Sequence, residues 1–389
     1  MARNRDPLPD DFKELIGLCR AGRLFDVQRW IEAGRRFTLP PGNFTTSPLR
    51  ASIEKGFHSM VEVLVKAGSS QEQLDDALIY AVRASRLDIV ELLASQGANA
   101  DQVCSDEVLY TRKPPLIRWF VDHGLNMEDG FPIAHAFRYR RREFLGIYMG
   151  IRDKVPSARK QAAMALRIHC REGNLKWVSL LLWAGADPRM VVPDMENSPP
   201  EEFAGTALED AVHYGKLDIV RKIGIDPERD DLTALLARSS LGCEPEVIKV
   251  LLAAGADPNG FSGEESPMQS FMCSFGWSLD SSFLRSNPDS KIECIEVLAS
   301  HGGRWRPKDA YEISSLRRDL ARAKPYDAVR GLERIIKSGA IEKDVFLELM
   351  RTPKMRLLMN SGHPGSVFLR ECSGQELPRR PTTRGRRRL

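Results

Sequence analysis

One spacing recurs along this chain, and few folds can accommodate it. Eight times, apolar residues stand seven, four and usually three positions before a glycine. Val27, Trp30 and Ile31 precede Gly34; Val61, Leu64 and Val65 precede Gly68; Val90, Leu93 and Ala94 precede Gly97. Ile117, Phe120 and Val121 precede Gly124, and Val178, Leu181 and Leu182 precede Gly185. Ile248, Leu251 and Leu252 lead to Gly255, Ile295, Leu298 and Ala299 to Gly302, and Leu332, Ile335 and Ile336 to Gly339. Steps of three and four place these residues on one stripe of an α-helix. The glycine then sits where the helix ends at positive φ, the conformation that costs glycine least. With the two longest gaps read as doubled, the mean period is about 34 residues, which signals stacked repeats.

A shorter helix precedes each of these. Ser47-Pro48-Leu49-Arg50, Thr206-Ala207-Leu208-Glu209 and Thr233-Ala234-Leu235-Leu236 each open an apolar segment followed by Gly56, Gly215 or Gly242. Ser or Thr suits the cap, and Pro or a small residue suits the first turn. The predicted unit is therefore cap, short helix, turn, longer helix, glycine stop and polar loop.

With those residues in place, the sequence resembles the ankyrin repeat family. Thr206-Ala207-Leu208-Glu209-Asp210-Ala211 with Gly215-Lys216-Leu217-Asp218-Ile219-Val220 carries one part of that pattern, and Ser47-Pro48-Leu49-Arg50 with Gly56 repeats it. Glu246 to Leu252 followed by Ala253-Ala254-Gly255-Ala256-Asp257-Pro258-Asn259 carries the rest. The family's histidine in its Thr-Pro-Leu-His signature is missing throughout, and the segment ending near Gly224 is too short for the spacing rule. The rival reading is a HEAT-like or tetratricopeptide solenoid, which lacks the Gly-Ala-Asp-Pro loop. The resemblance implies an all-α, ankyrin-type α-solenoid of about ten divergent helix-turn-helix repeats over residues 12–362. An N-terminal leader (1–11) and a disordered Arg-rich tail (363–389) complete the expected organisation. Repeat boundaries are least defined over 131–160 and 216–232.

Composition narrows the function classes. The chain is 42% hydrophobic and 28% charged, too apolar for a disordered chain and too interrupted by charge for a membrane-spanning one. Its start is charged and leads into Pro and Asp, so a secretory signal is not expected. Six arginines, Arg379, Arg380, Arg384, Arg386, Arg387 and Arg388, lie in the last eleven residues and form a candidate basic patch. Without them the net charge of +4 becomes −2, so the body carries no global basic field. The seven cysteines are scattered without metal or redox spacing and read as free thiols of a reducing compartment. The expected location is the cytoplasm, with the nucleus as the alternative for a eukaryotic chain.

No chemistry assembles along the sequence. No two of the seven histidines are spaced i, i+4, and no phosphate-binding glycine motif is present. Acid pairs such as Asp75-Asp76 are neighbours without acid–base geometry. The chain is read as a non-enzyme with no cofactor, no metal, no membrane partner and no small-molecule substrate. Cys19 and Cys294 fit as small core residues. Trp30, Trp119, Trp177 and Trp183 fall within the longer helices and are expected to pack.

Candidate contact residues come from departures from the repeat. Arg35, Arg36, Phe37 and Phe44 extend the first inter-repeat finger. Arg304, Trp305 and Arg306 stand at a finger position with the Trp–Arg composition of binding hot spots. Long loops at 188–204 and 274–290 are expected to be exposed and variable. The basic run Arg138, Tyr139, Arg140, Arg141 and Arg142, following Phe137, is either a solvated turn or a contact for an acidic partner or phosphate backbone. The leading function is a non-catalytic scaffold or adaptor binding another protein through its concave face and inter-repeat loops. The alternative is a nucleic-acid-associated protein using the C-terminal arginines and residues 138–142.

Overall fold

The structure, a computed structural model, describes residues 10–39, 46–196, 200–261, 263, 266–273, 288–322, 325–351, 356–357 and 365–374. Twenty-two α-helices and two short 3₁₀ helices, Ala100–Gln102 and Pro200–Phe203, make up the regular structure of these residues, with only two isolated β-bridges. Twenty of the helices form ten consecutive pairs. They are α1 (Asp10–Arg20) with α2 (Leu24–Glu32), α3 (Pro48–Lys55) with α4 (His58–Lys66), and α5 (Gln71–Arg83) with α6 (Leu87–Ser95). Next come α7 (Ser105–Tyr110) with α8 (Pro114–Asp122), α9 (Pro132–Arg138) with α10 (Phe144–Ile151), and α11 (Ala158–Glu172) with α12 (Leu175–Trp183). Then follow α13 (Ala207–His213) with α14 (Leu217–Ile223), α15 (Leu232–Arg238) with α16 (Pro245–Ala253), and α17 (Pro267–Cys273) with α18 (Pro288–Ser300). The last pair is α19 (Ala310–Arg322) with α20 (Pro325–Ser338), followed by α21 (Lys343–Leu349) and α22 (Gly365–Ser373).

The stripe residues are the core. At every instance of the glycine spacing, the residues seven and four positions back are no more than 4% exposed. Position three back is only partly covered at Ile31, Ala94, Val121, Leu182 and Ile336. Trp183 departs from its expected packing role: it is 70% exposed, because it lies two positions before Gly185 and off the stripe.

The helix caps follow the sequence at two of the three proposed starts. The Ser47 hydroxyl accepts from the Arg50 N–H, and Thr206 with Glu209 forms a reciprocal capping box. At the third, the cap is Asp231 and not Thr233, and its carboxylate accepts from the Ala234 N–H. The stop glycines take the left-handed conformation, as at Gly97 (φ 95°) and Gly255 (φ 103°). The N–H of the following alanine reaches back to Leu93 or Leu251. That bond satisfies a carbonyl the helix end leaves open.

The chain divides into two compact units, residues 1–165 with 183–187, and residues 166–182 with 188–389. In the first, α1, α3, α5, α7 and α9 pack in sequence as one row, while α2, α4 and α6 form part of a second row and α8 packs on α10. In the second, α13, α15, α17, α19 and α21 make one row, and α14, α16, α18, α20 and α22 the other.

Two segments that the sequence left undefined are pairs like the rest. In 131–160, Phe137 packs edge-on against Phe144 and Tyr148, with ring centroids 5.6 and 5.2 Å apart. Helix α10 lacks a stop glycine; Arg152 follows it and donates to the Ala184 carbonyl at 2.7 Å. In 216–232, α14 is short and ends at Gly224 (φ 81°).

Disorder was expected from residue 363 onward; within that span the structure describes residues 365–374. These residues form α22 and a closing turn, and α22 buries Leu369 and packs on α20 and α21. The buried Leu369 and the half-buried Phe368 supply the apolar surface that docks this short helix, despite the polar sequence beyond them. Residues 375–389 lie outside the described residues.

Candidate partner-binding surface

In the first unit, the finger after α2 and the first helices of the next two pairs enclose a cleft of about 640 Å³. Phe37 and Leu39 of the finger, with Pro48 and Leu49 of α3, give it an apolar side. Arg50, Glu72, Gln73, Asp76 and Tyr80 give it a polar one. The finger is held by its own base. The Trp30 indole N–H donates to the Arg36 carbonyl at 3.1 Å, and the Arg35 guanidinium lies 3.2 Å above the Trp30 ring. Arg35 also faces Glu14 at 3.6 Å. Arg36 is exposed, and Phe37 is half-buried at the cleft. Phe44 lies outside the described residues.

Arg50 is the fixed cation of this cleft. It donates to Glu54 at 2.7 Å and to the Tyr80 hydroxyl at 3.1 Å, and its guanidinium sits 4.3 Å from the Tyr80 ring centroid. Burial works against its charge, but the Glu54 and Tyr80 contacts outweigh it and hold the guanidinium above its ordinary range. The opposite wall carries the carboxylates of Glu72 and Asp76, both exposed. The cleft therefore offers apolar, cationic and anionic positions side by side, the mixture suited to a polypeptide.

The run 138–142 is less free than its composition suggests. Phe137 is fully buried core, and Arg140 holds a positive φ of 58°. Arg141 lies 5.0 Å from the centroid of the Tyr110 ring. Tyr139 is 65% exposed and stacks beside His135. The other half of the expected basic patch, Arg379, Arg380, Arg384, Arg386, Arg387 and Arg388, lies outside the described residues. Of the expected basic patch, only Arg138, Tyr139, Arg140, Arg141 and Arg142 fall among the described residues.

Trp305 is corrected outright: it is 1% exposed. Its main chain pairs with the segment after α20, with a 2.8 Å bond to the Ala340 carbonyl and a parallel bridge to Ile341. Arg304 is spent on the end of α18, donating to the Ala299 and Gly303 carbonyls at 3.2 and 2.8 Å. Arg306 is exposed, and its carbonyl accepts from Gln269 at 3.3 Å. The Trp305 side chain is packed inside, at the point where its main chain pairs with the segment after α20.

The 188–204 loop was expected to be exposed, and its base is not. Arg167 and Arg171, one turn apart on α11, reach into it from the same helix face. Arg167 donates to the Asp210 carboxylate at 2.8 Å and to the carbonyls of Val192 and Phe203 at 2.7 and 3.2 Å. Arg171 grips Asp194 through both Nη atoms at 3.0 and 2.5 Å and shares Asp210 at 3.1 Å. Burial disfavours the Arg171 charge, yet Asp194 and Asp210 outweigh it and push its pKa up. Val192 and Gly205 close the loop with an antiparallel bridge. This is a clamp of alternating charges with its hydrogen bonds made. Phe275, Trp277, Phe283 and Leu284 of the other long loop lie outside the described residues.

His123 and His301 each place Nδ1 against the last turn of their helices, 2.7 and 2.9 Å from the Trp119 and Val297 carbonyls. Cys19 and Cys294 are fully buried, and burial pushes the Cys19 thiol up to about 11, with a hydrogen bond to Ser52 opposing it. Among the described residues no cluster of three or more His, Cys, Asp or Glu could hold a metal ion. No helix among them is long and apolar enough to cross a membrane.

The polar loops after the stop glycines decide what kind of repeat this is. In Gly255-Ala256-Asp257-Pro258-Asn259, the Asn259 side chain donates to the carbonyl of Gly302, the stop glycine of the next pair, at 2.9 Å. In Gly185-Ala186-Asp187-Pro188-Arg189, the Arg189 side chain does the same to Gly224, also at 2.9 Å. Short paired helices, left-handed stops and stapled Asp-Pro loops thus repeat in register.

The repeat unit is a pair of helices closed by a left-handed glycine stop.

The structure has the paired helices and glycine stops that the resemblance implies. The chain is similar to the human ASB11 ankyrin repeat domain, with 17% identity over 75% of this chain and 99% of that one, at a TM-score of 0.25. It is also similar to the ankyrin repeat domain of Bcl-3, described as a unique member of the IkappaB protein family. That likeness has 17% identity over 66% and 92% of the two chains, at a TM-score of 0.30. No protein-family model matches the sequence, and no curated protein is similar to it.

Proposed function

We propose that the chain is a non-catalytic scaffold or adaptor that binds a partner protein through the first-helix side of its N-terminal repeats. The cleft bounded by Phe37, Leu39, Arg50 and Tyr80 carries this reading. It is open, large enough for several side chains, and lined by Arg and aromatic residues that dominate binding energy at protein interfaces. The reading puts the chain in a reducing compartment such as the cytoplasm, supported by Cys19, Cys104, Cys170, Cys243, Cys294 and Cys372, which are all free thiols.

Affinity capture with the full chain tests it, comparing wild type with Phe37→Ala and Tyr80→Ala. A protein partner recovered by wild type and lost with both variants is expected, with unchanged far-UV circular dichroism. Recovery that is equal for all three, or a tight small-molecule ligand with no protein partner, sinks the reading.

A further inference from the structure

Outside the cleft, the turns joining the two helices of successive pairs carry charge in a pattern no single stretch of sequence reveals. The segments 83–88, 107–113 and 138–143 contain eight Lys and Arg against three acids. All three acids are already matched: Glu107 with Arg83, Asp88 with Arg86, and Glu143 with Arg112. The Glu107 and Glu143 pairs, with Arg141 over Tyr110, run between neighbouring repeats, so the three turns form one contiguous edge of the first unit. Tyr110 and Tyr139 stand on that edge at 73% and 65% exposure, and Lys113 and Arg142 face solvent between them.

We propose that this edge is a docking strip for an acidic peptide segment of the partner protein. The proposal rests on the scaffold reading and names the chemistry of what is bound. Surplus positive charge selects acidic side chains and speeds encounter. The two exposed tyrosines offer large apolar contacts at low entropic cost. The strip meets the cleft at Tyr80, because the Arg83 guanidinium lies 5.8 Å from the ring that also carries Arg50. One extended polypeptide can therefore follow both. The alternation of charge favours a peptide over nucleic acid. Duplex DNA carries a charge about every 1.7 Å, and Arg83 and Arg112, held by Glu107 and Glu143, are not free to meet so dense a row of phosphates. A peptide can space its carboxylates to avoid those pairs.

The test uses the full chain and a fluorescein-labelled peptide of alternating Glu and Leu, read by fluorescence anisotropy. Binding is expected to weaken as salt rises. The double variant Lys113→Glu/Arg142→Glu should lose about ten-fold in affinity or more at low salt. The double variant Tyr110→Ala/Tyr139→Ala should also weaken it, with thermal midpoints unchanged, because all four side chains are exposed. Absent binding, or affinity indifferent to both variants, overturns the proposal. So does tighter binding of a single-stranded oligonucleotide through the same four residues. A partner protein that needs Phe37 and Tyr80 but ignores both strip variants overturns the strip and leaves the scaffold reading standing.

Discussion

Asn259 holds two consecutive repeats together through Gly302. Its amide donates to the Gly302 carbonyl at 2.9 Å, while its side-chain oxygen accepts from the Arg304 N–H at 3.0 Å. One side chain thus satisfies an acceptor and a donor of the next stop loop, groups that a helix end otherwise leaves to water. Asn259→Ala is expected to lower stability by about 1–2 kcal/mol. Asn259→Asp should recover only the half that accepts from Arg304. Chemical denaturation of the three proteins measures it.

The clamp at α11 should be far more costly to break. Asp210→Ala leaves Arg167 buried without its carboxylate, and removing one partner of a buried pair costs about 3–5 kcal/mol. The same change frees the base of the 188–204 loop. Limited proteolysis should therefore cut that loop faster in Asp210→Ala than in wild type, whereas Glu196→Ala, at the exposed rim, should leave the rate unchanged.

Asp230 adds an acid limit to stability. Burial alone would raise its pKa, but two bonds from Arg189, at 2.7 and 2.8 Å, and the Asp226 N–H outweigh that and hold it below the ordinary carboxylate range. A depressed folded pKa means that the contribution is complete above the unfolded value of about 3.9 and is lost as pH falls through the lower folded one. Melting curves for Asp230→Asn should fall below wild type at neutral pH, and the gap should narrow in that acid window. A gap constant down to the acid limit would contradict the account.

Helix α22 stands against the expectation of disorder from residue 363. A chain ending after Gly374 should melt several degrees above one ending after Gly362, since the shorter chain uncovers the α20 surface that Leu369 covers. Equal midpoints would show that the helix contributes nothing.

What was legible in the sequence follows from which interactions are local. The residues seven and four before each glycine set the core, because a helical stripe is a property of short range. The turns within the pairs were only half visible. Gly22, Gly56, Gly173 and Gly215 mark four of them, but Ser85, Arg112, Arg140 and Cys243 hold the same left-handed conformation in four more, at φ between 46° and 58°. Packing of the flanking helices imposes a conformation the residue itself does not announce. At Gly242 the expected turn glycine has another use. A Cβ there would lie 2.6 Å from the Gly215 nitrogen, so the residue is set by backbone approach between repeats. Trp305 was misread because a Trp between two arginines looks the same in sequence whether it faces a partner or a core. The cleft and the basic strip join residues some thirty apart, such as Arg50 with Tyr80 and Tyr110 with Arg141. Only the stacking register of the repeats brings them together.

The most direct test of the binding claim is site-specific photo-crosslinking of the full chain in cell extract. A photoreactive residue at Leu39 or Tyr80 reports on the cleft, and one at Trp183, exposed on a second helix, reports on a surface assigned no partner. The account predicts one discrete protein adduct from Leu39 and Tyr80, absent from Trp183 and suppressed by Arg50→Glu. Adducts of equal yield at all three positions, or a discrete adduct at Trp183 alone, would contradict it.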